Sequence, residues 1–173
     1  GRATIDIQAI GIALGPGSFT SLRIGLALVK GMALSLHTPL IGVPTFDILV
    51  HTFPLSDHPL IAVLPAGRQR MAAQAYRVEA GKWKPDSELK VMTTQEISEQ
   101  ITGPTHICGE MDAEERQVVG RKWKNALVAS PVTCTRRPAA LAEIAWNRWK
   151  AGKLDDPISL IPIYLHVAGN IEE

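Results

Sequence analysis

The sequence predicts an α/β fold. Short apolar runs alternate with longer segments of helical periodicity, and Gly, Pro and Ser/Asp clusters punctuate the alternation without internal repeats or low-complexity tracts. At 173 residues, with 46% hydrophobic and 20% charged side chains, the chain can bury a real core.

The elements follow in order. Ile5 to Leu14 reads as a buried strand, Ser18 to Leu36 as a long helix, Leu40 to Val43 as a strand, and Thr45 to Val50 as a short helix capped by Thr45. "HTFPLSDHP", His51 to Pro59, concentrates turn formers and is the linker candidate. Leu60 to Leu64 and Met71 to Val78 read as strands, and Ala80-Gly81 turns the chain toward another near Leu89 to Met92. Thr93 with Glu96 forms a capping box that starts a helix through Ile101. Thr105 to Cys108 is a strand, and Ala113 to Lys122 and Pro138 to Lys150 are helical, the latter with Pro138 at its first turn and Gly152 past its end. The tail "PISLIPIYLHVAG" is extended, and Pro162 makes an interior strand position unfavourable, so an edge position is expected.

Bulk properties exclude some functions. Lys plus Arg number 18 against 17 acids, so net charge names neither a nucleic-acid nor a membrane partner. Cys108 and Cys134 lie far apart in sequence, fit a reducing cytoplasm better than a disulfide framework, and read as inert thiols. No segment reaches the roughly 20 apolar residues of a bilayer span, and no signal-peptide pattern is visible at the start. The first residue is Gly1, which suggests a tag remnant, a processed chain or a fragment.

The most informative stretch is "IALGPGSFTSLRIGLALVKGMALSL", Ile12 to Leu36. Gly15 and Gly17 reach backbone angles that other residues avoid, Pro16 fixes its own, and Ser18 is a preferred N-cap, so free amides start the helix. Such a start attracts phosphate or carboxylate. Gly15, Pro16, Gly17, Ser18, Thr20 and Arg23 are therefore either an anion loop or a structural turn; the lysine of a P-loop is missing. In the helix, Leu22, Leu26, Val29, Ala33 and Leu36 form a stripe suited to the protein's own sheet. Ile24, Leu28 and Met32 mark a second apolar stripe, and Ala27, Gly31 and Ser35 form a ladder of small residues between the two. A partner could cover that second side, or other parts of the same chain could.

Other chemistry is weaker. His37, His51, His58, His106 and His166 show no metalloprotease spacing, and Ser18 lies in no Gly-x-Ser-x-Gly elbow. In "HICGEMD", His106, Cys108, Glu110 and Asp112 alternate, which suits a metal cluster less well than a strand ending before a helix. "GKWKP" and "RKWKN" flank Trp83 and Trp123 with lysines and could stack a base, although solvated hairpin and helix ends explain them better. Arg136, Arg137 and Arg148 could add a weak nucleic-acid-facing patch.

"GPGSFTSLRIGLALVKGMAL", followed by "PLIGVPTFDILV", resembles the signature of the TsaB (YeaZ) family, glycoprotease-like subunits that help make threonylcarbamoyladenosine in tRNA. The family pattern is nearly GPGSFTGLRIG, and Gly15 to Gly25 keeps every position but one, with Ser21 where a glycine is usual. "AAQAYR", Ala72 to Arg77, resembles the family's strand after its Asp-Ala-Arg turn, and "PIYLH", Pro162 to His166, lies near the family's Pro-Leu-Tyr-Leu-Arg close. There are two departures. The family's opening hairpin block with its Asp-Thr-Ser run has no counterpart ahead of Ile5, which suggests N-terminal truncation and an exposed strand edge. In "LPAGRQR", Pro65 stands where the family has an aspartate, so any anion role of that aspartate is lost.

The resemblance implies an actin/Hsp70-like, ribonuclease H-like two-lobed fold with its first lobe incomplete. Residues 1–57 would be the remnant of that lobe, and residues 58–173 a second lobe whose tail packs back on the first. It implies a non-catalytic cytoplasmic subunit that pairs with a catalytic TsaD-type protein, is joined by a TsaE-type ATPase, and meets tRNA only indirectly. The complex transfers threonylcarbamoyl from its adenylate to the adenosine beside the anticodon. Ile24, Ala27, Leu28, Gly31, Met32 and Ser35 would form the partner face, no catalytic residue or metal is expected, and a nucleotide could sit at the partner interface. Alone, the chain could pair with itself. The rival readings are a glycoprotease-type hydrolase and a small phosphate- or nucleotide-binding protein using the Gly15 to Ser18 loop.

Overall fold

The computed structural model describes residues 7–121 and 124–165. Its contacts divide into two compact units, one holding the chain up to Ile48 with Arg136–Tyr164, the other holding Leu49–Thr135.

In the first unit, β1 (Ile10–Ala13) pairs in parallel with β2 (Leu40–Val43), with Ile10 opposite Leu40 and Ala13 opposite Val43. The expected strand from Ile5 is thus shorter among the described residues. A parallel pair needs a crossover, supplied here by α1 (Phe19–Leu36). Alternation sends Ile12 to one face and Gly11 and Ala13 to the other. Ile12 meets α1 at Gly25, while α5 (Pro138–Lys150) lies on the Gly11/Ala13 face. A Cβ at Gly11 would stand 2.8 Å from that of Ala145, so only glycine lets α5 come this close. Ile41, Val43, Ile48, Ala140 and Ala145 are buried there, flanked by Ala13, Leu141, Ile144 and Trp149. Strand β2 runs straight into α2 (Thr45–His51).

Beyond α5 the chain returns along the edge of β2. Asp155 N–H donates to Leu40 O at 3.0 Å, and the Asp155 carboxylate accepts from Gly42 N–H at 2.8 Å and pairs with Arg148 at 3.0 Å. Arg148 also donates to Gly42 O. Asp156 then caps a turn, accepting from the Ile158 and Ser159 amides, and these bonds, the Ile158 amide first, hold its carboxyl below the ordinary carboxylate value. Ile163 N–H finally donates to Leu14 O at 2.8 Å.

The second unit is a mixed sheet in the order β5-β4-β3-β7-β8, with β6 also on β4. Its strands are β3 (Leu60–Gly67), β4 (Arg70–Glu79), β5 (Lys82–Pro85), β6 (Lys90–Thr93), β7 (Thr105–Gly109) and β8 (Ala126–Val128). Strands β3 and β4 form a hairpin through Arg68 and Gln69, both at positive φ (51° and 55°), the twist a two-residue loop prefers. On one face, Ile61, Val63, Met71, Ala73 and Ile107 pack with Ile97 of α3 (Thr94–Gln100) and Val119 of α4 (Ala113–Gly120). Both helices start at capping boxes, Thr93 with Glu96 and Asp112 with Glu115. β5 and β8 are strands the sequence reading did not anticipate, and α4 ends at Gly120.

Candidate functional site: an exposed apolar helix face

An 18-residue helix is about 27 Å long, whereas the four-residue strands beneath α1 span about 13 Å, so about half of the helix length runs beyond its own two-stranded sheet. Leu26 and Ala33 are buried and Leu22, Val29 and Leu36 half-buried, which is the stripe expected to face the sheet. On the other side Ile24 is 64%, Leu28 63% and Leu34 61% exposed. Ala27, Gly31 and Ser35 are exposed between them, and a Cβ built on Gly31 meets nothing within 4 Å. Met32 is half-buried. Leu34 was missed as a member of this face; its signal was the seven-residue step from Ala27, two helical turns along the same side.

By length and composition α1 is apolar enough to cross a bilayer, with mean hydropathy 1.4, which amends the expectation that no segment qualifies. Arg23 and Lys30 interrupt the run.

The turn before α1 is held from three directions. Gly15 O accepts from Thr45 N–H at 2.7 Å, Leu14 N–H donates to Val43 O at 2.9 Å, and the tail reaches Leu14 O through Ile163. Gly15, at φ 106°, has no room for a side chain, since a Cβ would lie 2.9 Å from both Ile163 O and Leu22 Cδ1. Gly15 and Pro16 are buried, whereas Gly17, Ser18 and Thr20 are exposed. Ser18 caps α1, its Oγ accepting from Ser21 N–H and from the Ser21 hydroxyl. The Arg23 guanidinium lies 4.0 Å from the centroid of the Phe19 ring, and its Nε donates to Tyr164 Oη at 3.1 Å.

The other candidates have structural occupations. Trp83 is half-buried and donates its indole N–H to Phe53 O at 3.1 Å, so it is no free stacking platform; Trp123 lies outside the described residues. Arg148 is committed to Asp155 and Gly42, which removes it from a nucleic-acid patch. In the "HICGEMD" run, His106 Nε2 sits 3.0 Å from Ser56 Oγ, Cys108 is buried, and Asp112 caps α4, so these side chains do not converge. Burial, with help from nearby His58, lowers the His106 pKa.

The family model for TsaD, the tRNA N6-adenosine threonylcarbamoyltransferase, matches residues 2–113, a span holding the turn, α1 and the hairpin of the second unit. The chain belongs to this family, in its TsaB (YeaZ) branch. It is 33% identical over 110 residues to the tRNA threonylcarbamoyladenosine biosynthesis protein TsaB of Escherichia coli K12, covering 60% of this chain and 47% of that protein. Against TsaB of Bacillus subtilis 168 it is 26% identical over 170 residues, covering 94% of this chain and 71% of the relative. The chain therefore spans about half the length of the E. coli TsaB it matches.

Solved structures agree on the mixed α/β fold. A Pseudomonas aeruginosa protein with similarity to peptidase YeaZ superposes with a TM-score of 0.75 at 19% identity, covering 95% of this chain and 76% of that one. YeaZ from Pseudomonas aeruginosa gives 0.73 at 20% identity, covering 94% and 77%.

Proposed function

We propose that this TsaB-family chain is a non-catalytic scaffold of the tRNA threonylcarbamoyl-transfer machinery, with the outer face of α1 as the docking surface for a TsaD-type catalytic subunit. The observation that carries this reading is the pairing of exposed Ile24, Leu28 and Leu34 with the small residues Ala27 and Gly31 on one helix face. Burying a Leu or Ile side chain contributes about 1.5–3 kcal/mol, and small residues let a second helix approach closely enough to collect it. Such a patch marks an interaction surface more often than idle exposure.

In this reading the Gly15–Ser18 turn braces the start of α1, a TsaE-type ATPase joins the assembled pair, and any nucleotide binds at the shared interface. The protein works in the cytoplasm, and its two units are the lobes of an actin/Hsp70-like fold, the first incomplete. Without its partner the same face supports a homodimer. The test is size-exclusion chromatography of the purified chain with a TsaD-type protein, beside an activity assay of each component. Co-elution with no turnover by this chain alone supports the scaffold. Metal-dependent turnover by the lone chain, or a melting temperature raised by phosphate or nucleotide without any pairing, contradicts it.

A further inference from the structure

The two cysteines of the chain, far apart in sequence, meet inside the second unit. Cys108 is fully buried on β7, and Cys134 ends the 3-10 turn Pro131–Cys134 with 3% of its surface exposed. The 3-10 turn packs directly on β7, which brings the two thiols together in this core, close enough to shift each other's ionisation. Arg116 of α4, whose Nη1 donates to Ala129 O at 3.0 Å, brings positive charge to the pair.

We propose that Cys108 and Cys134 form an oxidisable dithiol that closes to an intramolecular disulfide under hydrogen peroxide. The Cys108 thiol beside it favours a thiolate at Cys134, while Cys134 and burial push Cys108 up. Cys134, the one of the two with any exposed surface, is the attacking sulfur. Its thiolate breaks the O–O bond of peroxide, forming a sulfenic acid and releasing hydroxide, which takes up a proton to become water. Cys108 then attacks the Cys134 sulfur and displaces the oxygen as a second water. The two thiols lose two protons and two electrons, and one peroxide becomes two waters. Burial selects a small oxidant. Since Thr135 is the last residue before the chain leaves this unit, the bridge pins that exit to β7.

The test treats the full native chain with hydrogen peroxide, alkylates it with iodoacetamide under denaturing conditions, and maps unreduced peptides by mass spectrometry. The expected result is a chain lighter by two hydrogens, a Cys108–Cys134 linked peptide, joint loss of both alkylation sites, and recovery with dithiothreitol. Two thiols that stay alkylatable, disulfide-linked dimers, or Cys134 driven to sulfinic acid beside a free Cys108 would overturn the proposal. In C108S the oxidation is expected to stop at a Cys134 sulfenic acid that dimedone captures. A folded C108S that yields no adduct also overturns it, and the unreduced map of the unsubstituted chain decides the matter if that variant fails to fold.

Discussion

Arg23 and Tyr164, 141 positions apart, are joined by a 3.1 Å bond from the guanidinium Nε to the phenol oxygen, with the Phe19 ring against both side chains. This clasp fastens the tail beside the first turn of α1, where Ile163 also bonds Leu14. Tyr164→Phe should cost the low end of the range for an exposed hydrogen bond, about 0.5 kcal/mol. Hydrogen exchange at the Ile163 amide should accelerate while amides of β3 stay protected; unchanged exchange at Ile163 would show that the clasp does not hold the tail.

Arg148 and Asp155 tie α5 to the edge of β2 through both polar groups of Gly42. Both side chains are about a quarter to a third exposed, so solvent screens part of the attraction. Asp155→Ala should still destabilise the first unit by about 1–3 kcal/mol, because it strands the Gly42 amide and the Arg148 charge. Urea unfolding followed by circular dichroism measures this.

Gly109→Ala should prevent folding of the second unit. A Cβ there would fall 1.8 Å from Val63 O, a backbone atom of the central strand that has no room to move. The cost should exceed about 4 kcal/mol and appear as insoluble expression. Gly67→Ala, with nothing near its Cβ but a positive φ of 79°, should stay soluble at a cost of about 1 kcal/mol.

His106 should make stability fall on acidification. Its folded-state pKa lies below the ordinary 6.5, first by burial and then by His58. The unfolded chain therefore binds the proton more readily, so stability rises with pH through the window just below 6.5 and is lost as pH drops into it. Thermal melts across about pH 5 to 8 should show this slope, and His106→Gln should flatten it.

The elements with strong local signals were legible. Ser18 and Thr93 are side-chain caps read from residue type and spacing, and α5 runs from Pro138 to Lys150 as its proline start and glycine stop suggest. What stayed hidden depends on pairing across distance. Strand β5 is Lys-Trp-Lys-Pro, a poor strand by composition, and forms because the hairpin turn at Ala80-Gly81 lays it against β4. Strand β8 is three residues held by β7. The meeting of Cys108 with Cys134 needs the parallel crossover through α4, which no local pattern encodes. The α1 face was legible as apolar, and its exposure became visible only once the shortness of β1 and β2 was known.

The most direct measurement concerns Gly31. A leucine there meets open space and removes a helix-interior glycine, so the monomer should melt higher, by the equivalent of roughly 0.5–1 kcal/mol. If the outer face of α1 receives a TsaD-type helix, the same leucine blocks close approach, and co-elution on size exclusion should be lost while the melting temperature rises. A Gly31→Leu chain that still pairs with undiminished affinity would contradict the scaffold reading at its root.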